Sequence, residues 1–173
     1  IRFADDAVLI AATKEKLQEL LNIVAEESKK RGLSINCKKI ECMVIGKKEI
    51  PRCELYLNGT LIKQVEKFVY LVSVITENGK YATEIKRRIA LAKDAFQKLE
   101  HNLRNRTISM ETKKRVLDCY VISILTYGCE CWTISAQMED RLKAAEMWRL
   151  RRMLRISYTE HVSNDAVLCK SNK

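Results

Sequence analysis

Two adjacent carboxylates near the start of the chain, Asp5 and Asp6, are the residues with the clearest capacity for chemistry. They lie between Phe3 and an apolar run at 8–10, which predicts a β-hairpin with both aspartates at its tight turn and its strands buried in a sheet. Neighbouring carboxylates repel each other and gain little structurally from such a position. A hard divalent cation such as Mg²⁺ would neutralise them, because it prefers carboxylate oxygens. The stretch therefore predicts a metal-binding turn.

The chain carries an excess of basic residues. It has 32 lysines and arginines against 22 aspartates and glutamates in 173 residues, a formal net charge of +10. That balance favours a polyanionic partner, with nucleic acid first and an anionic membrane surface second; charge that serves only solubility is the alternative. No run of about 18 apolar residues occurs, so the sequence predicts no membrane-spanning helix, and we expect no membrane partner.

The seven cysteines do not follow a metal-binding pattern. No two of them are separated by two residues, and the histidines, His101 and His161, are far from any cysteine cluster. A zinc site is therefore not expected. The cysteines are expected to be reduced thiols, several of them core fillers, so we expect an intracellular protein of the nucleus and cytoplasm.

Turn signals and short apolar runs in the first half predict β-hairpins around one helix. Thr13 is the predicted N-cap of a helix that ends near Arg31, with Gly32 directly after it. Residues 32–46 predict two short strands around a polar bend, with the segment 42–45 buried.

The next segment begins with a predicted loop at 47–53. The pair Asn58 and Gly59 is the strongest hairpin signal in the chain, and it predicts a return strand at 60–64. The apolar run at 68–75 predicts a further strand.

From Gly79 onward the apolar spacing changes from a period of two to about 3.6, which predicts amphipathic helices. The apolar stripe of the first consists of Ile85, Ile89, Ala92, Phe96, Leu99 and Leu103. A second helix is predicted to begin at Ser109 as N-cap, with inward residues Val116, Leu117, Tyr120, Val121 and Ile124. A third is predicted over 136–154, with Met138, Leu142, Ala145 and either Leu150 or Met153 inward, and the residues past Val162 predict a polar end.

The outer faces of these helices are strongly basic. The candidate nucleic-acid-binding residues are Lys86, Arg87, Arg88, Lys93, Lys113, Lys114, Arg115, Arg151 and Arg152, with Arg155 as a further phosphate contact. Cations of this kind hold a duplex through its phosphates without reading sequence; ordinary solvated faces are the alternative. Trp132 and Trp148 would stack on unpaired bases or, as the alternative, close a small helical core.

Three motifs in the first half occur in the order typical of one enzyme family. Phe3 to Asp6 resembles the aromatic-Ala-Asp-Asp motif of reverse transcriptases. A Gly-Leu-x-x-Asn-x-x-Lys-Thr-Glu motif follows in that family, and it is matched by Gly32, Leu33, Asn36, Lys39 and Glu41, with Ile40 in place of threonine. A later Phe-x-Tyr-Leu-Gly segment is matched by Phe68, Tyr70 and Leu71, with Val72 in place of glycine.

Two later stretches extend the resemblance to nearly the whole chain. Residues 127–132 read Tyr-Gly-x-Glu-x-Trp and residues 147–154 read Met-Trp-x-x-Arg-Arg-Met-Leu, both recurrent after the thumb in retroelements. The chain resembles the downstream part of the reverse transcriptase of a non-LTR (LINE-type, RTE-like) retrotransposon. Because it begins at Ile1 inside a predicted strand, without an initiating methionine, we expect a fragment of a longer reading frame.

The resemblance implies an α+β fold: a partial polymerase palm of antiparallel hairpins plus a helix at 1–76, an all-α thumb at 77–126 and a post-thumb helical region at 127–173. It implies an RNA-directed DNA polymerase that transfers nucleotides with two Mg²⁺ ions. Its partners would be an RNA template, a DNA primer and the N-terminal palm and fingers of the same polypeptide.

The resemblance also assigns roles to residues. Asp5 would be the stronger metal ligand and Asp6 the more peripheral one. Lys39 would lie near the incoming triphosphate, where a cation offsets charge on the leaving pyrophosphate or donates a proton; a solvated lysine at a strand end is the alternative. Phe68, Tyr70 and Leu71 would belong to the hairpin that supports the primer end.

We expect this chain alone not to polymerise, because a third carboxylate from an earlier strand is missing and two on one turn make a poor Mg²⁺ site. A decayed copy that holds nucleic acid without catalysis is the alternative, favoured by Ile40 and Val72. A helical protein-interaction module is a third hypothesis. It predicts binding that is insensitive to salt, whereas phosphate contacts weaken steeply as salt rises.

Overall fold

The computed structural model describes residues 1–46 and 50–171, and the chain forms two compact units, one ending at Gly79 and the other starting at Lys80. The first consists of short hairpins around one helix, and the second is helical, so the predicted α+β class is confirmed. Part of the loop predicted at 47–53 lies outside the described residues. Among the described helices, none is both long and apolar enough to span a membrane.

Paired two- to four-residue strands dominate the first unit. Its elements are β1 (Arg2–Phe3), β2 (Asp6–Ala7), α1 (Lys14–Lys30), β3 (Glu41–Cys42), β4 (Tyr56–Leu57), β5 (Thr60–Leu61), β6 (Lys63–Gln64), β7 (Lys67–Tyr70) and β8 (Ser73–Thr76). The pairs β1–β2, β4–β5 and β7–β8 are antiparallel hairpins, whereas β3 and β6 pair in parallel.

Helix α1 begins and ends where its capping residues predict. The Thr13 hydroxyl accepts the Lys16 N–H at 3.3 Å. At the other end Gly32 has a φ of +72°, and the Leu33 N–H donates to the Ser28 carbonyl at 2.9 Å. This left-handed glycine cap satisfies carbonyls that the helix leaves open. The buried face of α1 contributes to a core consisting of Leu21, Cys42, Cys53, Leu55, Leu57 and Ile62.

Strand predictions in this unit are partly wrong. Of the two strands predicted over 32–46, the structure forms β3, while Asn36 makes a turn in which its side chain accepts the Lys38 N–H. Ile45 is 61% exposed, although the segment 42–45 was predicted to be buried. The Asn58-Gly59 hairpin is confirmed, with its return segment divided between β5 and β6. The single strand predicted at 68–75 is instead a hairpin, β7–β8.

The second unit packs its helices around an apolar core. They are α2 (Ala82–Leu103), α3 (Met110–Leu117), α4 (Ser123–Thr126), α5 (Ala136–Met153) and α6 (Asn164–Ser171). A π-helical turn, Asp118–Ile122, joins α3 to α4, and 3₁₀ turns occupy Cys129–Cys131 and Tyr158–Glu160. The core residues are Ala92, Phe96, Leu103, Leu117, Val121 and Leu125.

The three predicted helices are confirmed, including the N-cap at Ser109, whose hydroxyl accepts the Thr112 N–H. Two details were wrong. Tyr120 is 62% exposed because it lies in the π-helical turn, whose wider hydrogen-bond spacing changes the phase of the helix. The residues past Val162 are not a plain polar end, since α6 buries Val167 completely.

Candidate functional site

The turns of two hairpins border one open groove of about 540 Å³ in the first unit. The first hairpin contributes Phe3, Ala4, Asp5 and Asp6, and the second contributes Val69, Leu71 and Val72. The groove thus has two carboxylates on one side and an apolar hairpin tip on the other.

The β1–β2 hairpin places the two aspartates differently from the prediction. Phe3 pairs with Asp6, so Ala4 and Asp5 form the turn and Asp6 begins the return strand. Ala4 has a φ of +48°, a conformation that non-glycine residues rarely adopt. The hairpin itself is confirmed, but its strands are not buried: they form a two-stranded sheet in which Phe3 is 63% exposed.

The two carboxylates fit part of a divalent metal site. Both are exposed, and neither forms an ion pair or side-chain hydrogen bond with a described residue, so their oxygens face solvent at the groove. Carboxylate oxygens are the donors that hard cations prefer. Within 1–46 and 50–171, however, no three acidic, histidine or cysteine side chains cluster as metal ligands. Asp5 and Asp6 would therefore supply only two of the ligands that a divalent cation needs.

The second hairpin has a strained turn. Tyr70 pairs with Ser73, which leaves a two-residue turn in which Leu71 has a φ of +46° and Val72 a φ of +66°. Positive φ at both central residues defines the type I′ turn that two-residue hairpins prefer, and Asn-Gly is its usual sequence. A β-branched valine is a poor residue for this conformation. Val72 therefore occupies a position whose backbone geometry suits glycine.

The predicted primer-positioning residues do not all line the groove, because successive side chains of a strand point to opposite faces. Val69 is 60% exposed and lines the groove, as do Leu71 and Val72. Phe68 and Tyr70 alternate with Val69 along β7, are half-buried and are not among the groove-lining residues. The buried Tyr70 hydroxyl has no hydrogen-bond partner in the described chain. The motif identified this hairpin and its departure from glycine at Val72, but it missed Val69, which strand alternation would have found.

Lys39 lies in an exposed turn and is not among the residues that line the groove. Its N–H donates to the Asn36 carbonyl at 3.0 Å. The structure does not bring it together with Asp5 and Asp6.

Several candidate basic residues have intramolecular partners. Arg88 is 4% exposed; its Nε donates to Glu84 at 2.6 Å, and its guanidinium lies 4.5 Å from the centre of the Tyr127 ring. Lys113 is 7% exposed, and burial, followed by the charge of Arg155, lowers its pKa. The expectation that Arg88 and Lys113 lie on outer faces is wrong, because each packs into the interior of the second unit.

Trp148 organises another group of these cations. Its ring packs edge-on against Phe96 at 5.3 Å, and Lys93 and Arg152 lie 5.4 and 4.9 Å from its centre. The core alternative for Trp148 is therefore confirmed. Arg152 also donates to Glu100.

The remaining candidates are more varied in their surroundings. Arg151 donates to the Val162 carbonyl at 2.6 Å, Arg115 pairs with Glu111 on the surface, and Arg87 pairs with Glu84. Lys86 is exposed, and Lys114 is half-buried.

The chain belongs to the reverse transcriptase (RNA-dependent DNA polymerase) family, whose sequence profile matches residues 1–117. As a family, reverse transcriptases depend on divalent metal ions and bind a nucleic acid template and primer.

A transposon-derived protein is similar to this chain over nearly its whole length. The chain is 28% identical over 172 aligned positions to an uncharacterized transposon-derived protein of Caenorhabditis elegans. The match covers 95% of this chain and 60% of that relative, so the chain spans about three fifths of the relative's length. No solved structure matches this chain significantly.

Proposed function

We propose that this chain forms the C-terminal part of the palm, the thumb and the post-thumb region of a LINE-type, RTE-like reverse transcriptase that extends a DNA primer on an RNA template. The observation that carries the proposal is the groove shared by Asp5 and Asp6 and the tip of the β7–β8 hairpin. The family match and the transposon-derived relative support it. The palm would comprise 1–76, the thumb 77–126 and the post-thumb region 127–173. The protein would act in the nucleus and cytoplasm.

The groove residues would act in two ways. Asp5 and Asp6 would hold Mg²⁺, which when bound activates the primer 3′ hydroxyl and steadies the triphosphate. Val69, Leu71 and Val72 would form an apolar edge that keeps the primer end beside the carboxylates. Orientation of this kind lowers a barrier because the reacting groups no longer have to find each other. Lys39 stays a proposed triphosphate contact on the motif match alone.

A duplex would be held by those candidate cations that remain exposed on the helices, such as Lys86 and Arg115. Arg88 and Lys113 are left out of this proposal, since both are buried. Contacts to phosphates would be independent of sequence and sensitive to salt.

The test joins this chain to the fingers and N-terminal palm of a related reverse transcriptase and measures primer extension with Mg²⁺. Asp5→Asn should abolish extension and leave duplex affinity nearly unchanged. Asp140→Asn, an exposed aspartate of α5, should leave extension unchanged. Equal extension by the Asp5→Asn enzyme would overturn the proposal. Extension by the 173-residue chain alone would also overturn it, because the described residues of the chain lack a third metal ligand.

The second candidate function is a relic that binds nucleic acid without catalysis. The left-handed Val72 favours it, since strain at the turn would misplace the hairpin tip against the carboxylates. The same joined enzyme decides between the two. Extension that appears only after Val72→Gly supports a decayed enzyme, and efficient extension with valine in place excludes one.

A further inference from the structure

Tyr158 is an aromatic side chain held in the open by a well-bonded loop of the second unit. It is 90% exposed, and its ring lies 6.5 Å from that of His161, at an interplanar angle of 52°. Burying an aromatic ring stabilises a fold strongly, so a ring left this exposed contributes little to folding. Its position indicates a surface for another molecule.

The loop around Tyr158 is fixed at both ends. The Ser157 N–H donates to the Glu160 carboxylate at 2.7 Å, and the Ser157 hydroxyl accepts the Thr159 N–H at 3.3 Å. Beyond the loop, Arg151 donates to the Val162 carbonyl at 2.6 Å. A ring on so constrained a backbone loses little conformational entropy when a ligand stacks on it.

A basic cavity is lined in part by Arg155, which lies three residues before Tyr158 in the chain. It has a volume of about 360 Å³ and is lined by Glu100, His101, Arg104, Asn105 and Arg155. The carboxylate of Glu100 is already neutralised, because Arg104 and Arg152 donate to it at 3.1 and 2.9 Å. Arg155 donates to the Arg104 carbonyl through Nε, and its terminal nitrogens bond no described residue. Cations here also offset the negative ends of α2 and α5, but they outnumber the one carboxylate in the lining.

We propose that Tyr158, His161, Arg104 and Arg155 form a contact for single-stranded nucleic acid, in which an unpaired base stacks on Tyr158 and a neighbouring phosphate enters the cavity at Arg155. Three residues of chain span at most roughly 10 Å, so one short oligonucleotide reaches both parts. Aromatic rings beside cations are the general means of binding unpaired strands without reading their sequence. The inference rests on the proposed function only in taking nucleic acid as the ligand.

The test measures the anisotropy of fluorescently labelled ten-nucleotide oligo(U) and oligo(dT), and of a labelled RNA/DNA duplex, with the 173-residue chain. Tyr158→Ala should weaken single-strand binding about tenfold, whereas Tyr158→Phe should keep it. Arg155→Gln should weaken binding and reduce the salt slope by about 0.7. Duplex affinity should stay unchanged in the two Tyr158 variants.

Matched controls come from the same unit. Tyr120→Ala removes another exposed tyrosine and Arg141→Gln another exposed arginine, and both should bind like the unchanged chain. Circular dichroism verifies the fold of every variant. Single-strand affinity that survives Tyr158→Ala overturns this inference and leaves the proposed polymerase function standing. If the chain binds duplex but no single strand, this inference is likewise overturned and the proposed polymerase function stands. If it binds neither, the nucleic-acid contacts of both proposals are overturned.

Discussion

The Arg88 Nε lies 2.6 Å from a carboxylate oxygen of Glu84, and both side chains are almost fully buried within the second unit, at 4% and 1% exposed. A buried ion pair costs desolvation on both sides, so its removal as a pair is often tolerated. Removal of one partner leaves an uncompensated buried charge.

Glu84→Ala is therefore expected to lower the free energy of unfolding by about 3–5 kcal/mol, measured by urea denaturation. Glu84→Ala combined with Arg88→Met should recover much of that loss. The matched control is Glu111→Ala, which breaks a pair that is 76% and 77% exposed and should cost about 0.5 kcal/mol or less. A Glu84→Ala loss as small as the control's would contradict the role given to this pair.

Val72→Gly is expected to stabilise the chain by about 1 kcal/mol, because glycine adopts the φ of +66° without strain. The gain is a net value, since glycine also gives the unfolded chain more freedom. The measurement is the Tm from thermal unfolding. Val69→Gly, in the extended part of the same hairpin, should lower the Tm, and an equal decrease in both variants would refute the strain at the turn.

Gly32→Ala is expected to lower the free energy of unfolding by about 1 kcal/mol, because Gly32 ends α1 with a φ of +72°. Gly46→Ala is the matched control: Gly46 has no positive φ, and an added Cβ would meet Ile50 at 4.0 Å, an ordinary contact. It should be neutral or slightly stabilising. Denaturant unfolding compares the two, and equal losses would argue against the glycine cap.

The free energy of unfolding is expected to fall at high pH because of Cys42. Its burial, followed by the charge of Cys53 and a hydrogen bond with it, raises the pKa of the Cys42 thiol from 9.0 to about 11. Between these values the unfolded chain releases a proton that the folded chain keeps, so this stabilising contribution is present below about pH 9 and lost by about pH 11.

The measurement is the unfolding free energy across that range. Other groups also titrate there, so the informative quantity is the difference between variants. The decrease should be smaller in Cys42→Ala than in the unchanged chain, and Cys169→Ala, which removes an exposed thiol, should keep the full decrease. Identical profiles in all three would show that Cys42 contributes nothing to the pH dependence.

Local signals predicted much of the fold. Thr13, Gly32 and Ser109 mark helix ends because caps act through neighbouring backbone groups, and Asn58-Gly59 marks a hairpin because both residues tolerate positive φ. Helix α2 was predictable because its apolar stripe repeats over six positions. Such features can be predicted from neighbouring residues alone.

What was missed depends on tertiary packing or on residues that conflict with their backbone. Leu71 and Val72 gave no turn signal, since neither suits a positive φ, so the residue pattern predicted one strand where only the family resemblance implied a hairpin. Arg88 and Lys113 were expected outside because cations are rarely buried, and burial of Arg88 depends on Glu84 and Tyr127. In the site, the Asp5 hairpin was predicted, whereas the groove shared with Val69 required coordinates.

The side chain of Gln18 has a consequence for solubility. Its amide nitrogen donates to the Tyr56 carbonyl at 2.8 Å, and its oxygen accepts the Tyr56 N–H at 2.9 Å. These are the backbone groups that β4 turns away from β5, since in this two-residue hairpin Tyr56 and Leu61 form the non-hydrogen-bonded pair. Gln18 thus takes the place of a neighbouring strand and denies that edge to a second molecule, which protects the hairpin from edge-to-edge aggregation.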